Sequence, residues 1–118
     1  MTKRLSNRRE FRQVLDHGHS CIDRLLVVYA HPAGGRAGKM GIIVSRKIGG
    51  AVERNRVRRR VLEAFRQGIG SPKIYKDVVI IPRHRIKSAK FSEICASLAM
   101  LLAKCGAIDP EENSYNGV

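Results

Sequence analysis

The sequence predicts an α+β fold, and three observations carry that expectation. Apolar residues recur at helical spacing in three separated segments, short runs of β-branched and aliphatic residues bounded by glycine or proline lie between them, and no segment repeats. The expected architecture is a single-layer sheet of about four strands packed with three helices, in the order αβββαβα. At 118 residues the chain has the length of one domain, and such a domain buries roughly two thirds of the surface its unfolded chain exposes. A composition of 43% hydrophobic and 28% charged residues suits a packed core better than a disordered basic tail.

The first helix is expected from Asn7, which can cap it, with Glu10 three residues on as in a capping box and Phe11, Val14 and Leu15 on one face. Gly18 is placed to end it. The run from Cys21 to Ala30 predicts one strand, stopped by His31-Pro32. After a glycine-rich loop from Ala33 to Gly38, Met40 to Ser45 predicts a second strand, paired antiparallel with the first. Gly49-Gly50 breaks the chain before a long helix from Val52 to about Gln67. Gly68, Gly70, Ser71 and Pro72 mark its exit loop, and Tyr75 to Ile81 predicts a further strand ended by Pro82. A basic loop from Arg83 to Lys90 leads to the last helix, where Phe91, Ile94, Leu98, Leu101, Leu102 and Cys105 share a face. Residues 109–118 are polar and without periodicity, and are expected to form a disordered tail to a domain spanning 1–108.

Charge sets the class of partner. Lys and Arg total 23 against 10 Asp and Glu, a formal net charge of +13, and self-repulsion at that level is relieved by a polyanion. Phosphate chains are the commonest such partner, with an anionic membrane surface or an acidic protein as alternatives. Cys21, Cys95 and Cys105 are odd in number, widely spaced and without a C-x-x-C pair, which suggests neither a disulfide framework nor a zinc site. Reduced thiols, the absence of an apolar stretch after Met1 and the absence of any long apolar run together point to a cytoplasmic protein that does not span a membrane.

Catalytic constellations are missing from the pattern. No carboxylate is spaced to orient His17, His19, His31 or His84 for acid-base work, and the scattered acids do not assemble the converging set that a two-metal nuclease needs. Gly38-Lys39-Met40 lacks the earlier glycine and the Ser or Thr of a phosphate-binding loop. What remains is the segment from Arg46 to Arg66, with eight basic residues (Arg46, Lys47, Arg54, Arg56, Arg58, Arg59, Arg60, Arg66) against Glu53 and Glu63. At 100° per residue Val57, Val61, Ala64 and Phe65 fall on one side and Asn55, Arg59, Leu62 and Arg66 along another. Short charge runs on helices are usually solvated faces. Here the like charges at Arg54/Arg58 and Arg56/Arg60 repel at i,i+4, so an anion is expected against them. The guanidinium fork can hold two phosphate oxygens at once, and Asn55 adds a neutral donor and acceptor. Arg83, Arg85, Lys87 and Lys90 form a second basic cluster expected near the same partner.

The stretch Val44-Ser45-Arg46-Lys47-Ile48-Gly49-Gly50-Ala51-Val52-Glu53-Arg54-Asn55-Arg56-Val57-Arg58-Arg59 resembles the signature of the bacterial ribonuclease P protein family, with its R-N-R core. The likeness extends to Arg4-Leu5 with Phe11, Val14 and Leu15, to Leu25–Tyr29 and to Asp77–Arg83, and covers the chain to about Lys104. It implies a protein that joins a large catalytic RNA and assists endonucleolytic removal of the 5′ leader from precursor transfer RNA. The catalytic centre would lie in the RNA, with no catalytic residue and no metal site on the chain, magnesium held mainly by RNA, and no protein or membrane partner. The implied fold is a sheet covered by helices on one face with a left-handed βαβ crossover, as in the second domain of a small-subunit ribosomal protein. The resemblance assigns Arg46, Lys47, Arg54, Asn55, Arg56, Arg58, Arg59 and Arg66 to the catalytic RNA, and Phe11, Leu15, Leu26 and Tyr29 to a cleft that receives the single-stranded leader. By residue type alone Phe11 and Tyr29 would be core, since a chain without Trp needs its few aromatics for packing. Leu15 and Leu26 stand where the family often has phenylalanine, leaving fewer stacking platforms. Leu62 stands where the family tends to place arginine, and Arg60 where it has an apolar residue.

Two other classes compete with this reading. A non-catalytic RNA-binding module such as a ribosomal protein shares the charge and the architecture, and a protein-only nuclease would cleave precursor transfer RNA without added RNA.

Overall fold

The computed structural model describes residues 2–69 and 74–109. Most of the expected exit loop and nearly all of the expected tail fall at 70–73 and 110–118, outside the described residues. The elements are β1 (Lys3–Arg4), α1 (Arg8–His17), β2 (His19–Ile22), β3 (Leu26–Pro32), β4 (Lys39–Ile42), α2 (Ala51–Ile69), β5 (Lys76–Pro82) and α3 (Phe91–Lys104), with 3-10 turns at Arg46–Ile48 and His84–Ser88. This is an α+β fold of three helices and a mixed five-stranded sheet ordered β1-β4-β5-β3-β2.

Local chemistry accounts for most boundaries. The Asn7 side chain caps α1 by accepting from the Glu10 amide at 2.9 Å, while Glu10 Oε1 accepts from the Ser6 amide at 2.7 Å. Gly18 ends the helix in extended backbone, with φ −84°. Glycine is needed there for space, because a Cβ would lie 2.5 Å from the Val14 carbonyl oxygen and 2.7 Å from that of Ala30. At the start of α3, Glu93 Oε1 accepts from the Lys90 amide at 2.8 Å.

The expected strand from Cys21 to Ala30 is two strands. Asp23 Oδ1 accepts from the amides of Leu25 and Leu26 at 2.8 and 2.9 Å, an Asx turn that folds the run into the β2–β3 hairpin. The expected antiparallel pairing of the second run with the first is also corrected. β4 pairs in parallel with β5 (Met40↔Val78, Ile42↔Ile80), and β5 lies between β4 and β3, with Leu26↔Pro82 through Pro32↔Lys76 in antiparallel register. β5 takes the centre because Val78-Val79-Ile80-Ile81 is continuously apolar, as a strand covered on both faces must be.

The alternation along β5 divides the core. Val78 and Ile80 join the larger cluster with Leu26, Val28, Val61, Phe65, Leu98 and Leu101 beneath α2 and α3. Val79 joins Leu5 and Val14 in a smaller cluster beneath α1, with Phe11, Leu15, Tyr29, Ile43 and Ile81 partly buried around it. Helices therefore cover both faces, where the resemblance implied one. α1 is a single helix laid across a sheet, so the face around it stays partly open.

Candidate nucleic-acid interface

The basic segment is presented by a rigid mount. Ser45 Oγ accepts from the Lys47 amide at 3.1 Å and caps the 3-10 turn, whose Ile48 is buried, leaving Arg46 and Lys47 exposed. α2 then buries Val57, Val61, Ala64 and Phe65, each 4% exposed or less, as the helical spacing requires. On its outer side Asn55, Arg56, Arg59 and Arg66 are exposed and Arg54 and Arg58 are half-buried. Arg58 donates to Asn55 Oδ1 at 2.9 Å, holding that side chain in place. Arg66 approaches Glu63 at 3.9 Å. Among the described residues, the side chains of Arg46, Lys47, Arg54, Arg56 and Arg59 make no hydrogen bond or ion pair. Arg54 Nε is buried without a partner among the described residues, a donor whose desolvation they leave uncompensated.

Two members of the segment are turned elsewhere. Arg60 donates to the carbonyl oxygens of Ala89 at 2.7 Å and Ile86 at 3.4 Å, tying α2 to the turn at His84–Ser88. Leu62, expected on the outer stripe, packs against the large core. The guanidinium at 60 clamps a neighbouring turn, and the leucine at 62 extends the apolar side of the helix. Glu53 pairs with Lys87 at 2.8 Å. That contact, the hydrogen bond from Lys87 first of all, holds the Glu53 carboxyl below its ordinary range.

Three of the four expected cleft residues meet. Phe11, Leu15 and Tyr29 surround the small cluster between α1 and the sheet. Leu26 does not join them. It is completely buried in the large core on the opposite face, because alternation along β3 sends Leu26, Val28 and Ala30 one way and Tyr29 the other. Ile43 and Ile81 pack around the small cluster instead; period-two counting along β5, starting from buried Val78, is the signal that would have found Ile81. The Phe11 ring lies over Gly41, where a Cβ would sit 2.5 Å from Phe11 Cζ, so glycine makes the seat for the ring. His17 and His31 stand with ring centroids 6.4 Å apart.

Charged pairs lie along the α1–β4–β5 side. Lys39 Nζ donates to Glu10 Oε2 at 2.7 Å, and this bond, with those from Ser6, lowers the Glu10 pKa from 4.5 to about 2. Asp77, 7% exposed, accepts both arms of Arg36 at 2.8 and 2.7 Å and the Lys39 amide at 2.8 Å. Burial opposes its ionisation, yet the Arg36 fork and the Lys39 amide outweigh it and the carboxyl stays below its ordinary value.

Of the second basic cluster, Arg83, Arg85, Lys87 and Lys90 are exposed, but Lys87 is taken by Glu53 and Arg83 Nη1 donates to the Asp23 carbonyl at 2.8 Å. Among the described residues no three His, Cys, Asp or Glu side chains converge to hold a metal ion, and no helix is long and apolar enough to cross a membrane.

The Ribonuclease P family model matches residues 1–106. The ribonuclease P protein component of Clostridioides difficile is 38% identical over 104 residues, covering 87% of this chain and 91% of that protein. That of Caldanaerobacter subterraneus is 34% identical, covering 92% and 94%. Among solved structures, the Staphylococcus aureus RNase P protein superposes with a TM-score of 0.79 at 29% identity, over 92% of this chain and all of that one. The Thermotoga maritima RNase P protein gives 0.76 at 34%, over 86% and 96%. With the basic helix and the sheet order already in place, these likenesses make the chain a member of the Ribonuclease P family, among the protein components of that ribonuclease.

Proposed function

We propose that the chain binds the catalytic RNA of ribonuclease P through the outer side of α2 and the turn before it, and holds the 5′ leader of precursor transfer RNA in the cleft between α1 and the sheet. The observation that carries the first half is the set of unpartnered cations on one rigid mount: Arg46, Lys47, Arg54, Arg56 and Arg59, with Asn55 held by Arg58. An RNA backbone supplies the acceptors that these donors lack, Arg54 Nε included. The second half rests on Phe11 and Tyr29, partly open rings over an apolar floor, which stack on unpaired bases for roughly 1 to 3 kcal/mol per base. Ile43 and Ile81 replace Leu26 in that surface.

By its likeness to the Ribonuclease P family, the reading assigns hydrolysis and its magnesium to the RNA. The protein contributes positioning: one face fixes the catalytic RNA, the other fixes the leader, and the five-stranded sheet sets the distance between them. A cytoplasmic location accompanies this reading. The test is reconstitution. Protein alone should leave precursor transfer RNA intact, and protein added to the cognate catalytic RNA at low magnesium should restore leader removal. Cleavage by RNA-free protein would overturn the proposal in favour of a protein-only nuclease, and binding without any stimulation would favour a simple RNA-binding module.

A further inference from the structure

At the end of β5 remote from Lys76, the chain builds a basic concavity that the helix signature does not include. Arg24, Arg83, His84 and Arg85 line a depression of about 600 Å³. Beside it Arg24, Leu25, Arg85, Ser88, Ala89 and Glu93 line another of about 330 Å³. Three guanidiniums and an imidazole face one acid, Glu93, which is engaged with Arg24 at 3.1 Å.

Tertiary structure makes this group. Arg24 lies some sixty residues from Arg83 in sequence and arrives through the Asx turn of Asp23. The other oxygen of Asp23 accepts from Ser97 Oγ, so the hairpin tip is fastened to α3 as well. Arg83 is fastened on both sides of that turn, its amide donating to the Leu25 carbonyl and its Nη1 to the Asp23 carbonyl, each at 2.8 Å. The Arg85 side chain makes no hydrogen bond or ion pair among the described residues and is exposed. Like charges are thus held together on a rigid base, an arrangement that costs stability unless an anion occupies it.

The concavity also continues from α2. Arg60 grips the Ile86 and Ala89 carbonyls and Lys87 grips Glu53, so the turn that carries Arg85 is locked to the helix that carries Arg56 and Arg59. We infer that Arg24, Arg83, His84 and Arg85 form a second phosphate-binding cradle, which takes backbone phosphates of the same catalytic RNA that lies along α2. This rests on the function proposed above. Arg85 is the free fork that closes on the phosphate, Arg24 exchanges Glu93 for it, and Arg83 is the positioning residue.

The test is the salt dependence of catalytic-RNA binding by the full chain, for wild type and for Arg85→Ala, Arg24→Ala, Arg59→Ala and Lys104→Ala. Lys104 lies at the far end of α3, about 16 Å along the helix from Glu93, and controls for loss of charge alone. Arg85→Ala and Arg24→Ala should each flatten the slope of log K against log salt by roughly 0.7 to 0.9 and weaken binding several-fold, with Lys104→Ala near wild type. A change at Lys104 equal to that at Arg85 overturns the inference, as does a defect of Arg85→Ala confined to leader-bearing precursor transfer RNA. Wild-type slopes for Arg85→Ala and Arg24→Ala beside a flattened slope for Arg59→Ala would remove the cradle and leave the function of α2 standing. Wild-type slopes for all three would remove both.

Discussion

Two arginines one residue apart on α2 do opposite work, and single substitutions separate them. Arg60 donates into the turn at His84–Ser88, so Arg60→Ala should destabilise the fold by about 1.5 to 3 kcal/mol, the range for hydrogen bonds that involve a charged group. Arg59 has no partner among the described residues, so Arg59→Ala should leave the urea midpoint unchanged and flatten the salt dependence of RNA binding by about one phosphate contact. A loss of stability at Arg59, or an altered slope without loss of stability at Arg60, would reverse these assignments. Phe11 seats its ring on Gly41 and edges the cleft. Phe11→Ala should weaken binding of leader-bearing precursor transfer RNA and spare mature transfer RNA, and an equal loss for both would make Phe11 a core residue only. The spacing of α2 made Val57, Val61, Ala64 and Phe65 legible as the inner face. Leu62 and Arg60 were not legible, because whether a borderline position packs or points outward depends on what lies beside the helix.

At the scale of the element, the β2–β3 hairpin shows how one short side chain decides a topology. The run from Cys21 to Ala30 has the composition of a continuous strand, and Asp23 divides it by accepting two backbone amides. The same residue accepts from Ser97 and, through its carbonyl, from Arg83. Asp23→Ala should therefore cost about 1 to 3 kcal/mol and lower the affinity for catalytic RNA through the misplaced Arg24, whereas Asp23→Asn, which keeps an acceptor oxygen for the turn, should retain most of the stability. Chemical denaturation of the two variants is the check. Equal losses would place the effect in the charge of Asp23 rather than in the turn. Aspartate inside an aliphatic run was the available signal, since Asp is depleted in strands and favoured in turns.

For the whole molecule, a net charge of +13 is held together by a few well-placed acids. Glu10 joins α1 to β4 through Lys39, and Asp77 joins β5 to the loop before β4 through Arg36 and the Lys39 amide. Glu10 takes up its proton at about 2 in the folded state and near 4.5 when unfolded; the Asp77 carboxyl is likewise lowered by folding. For Glu10 the lowered value means that its stabilisation is fully present above about pH 5 and fades as pH falls toward about 2, where the unfolded chain binds the extra proton; Asp77 contributes in the same direction. Thermal melts across that window should show a decline that is shallower in Glu10→Gln, which starts less stable at neutral pH. A parallel decline in both proteins would place the acid sensitivity elsewhere.

The sequence by itself determined the class of the fold, the helices, the inner face of α2 and the dense positive charge of its outer side, because helical period and charge density are local properties carried by neighbouring residues. Only the tertiary structure decided the sheet order, which cations stay unpartnered among the described residues and which residues gather beneath α1. β5 displaced the expected pairing of β3 with β4 because its run from Val78 to Ile81 is apolar on both faces and is covered on both, and the pleat then sent Leu26 into the large core while Tyr29 and Ile81 went to the small cluster beneath α1. Arg60 and Lys87 found partners within the chain, and Arg24 reached Arg83 and Arg85 through a turn. Each of these outcomes depends on residues distant in sequence, which no local pattern records.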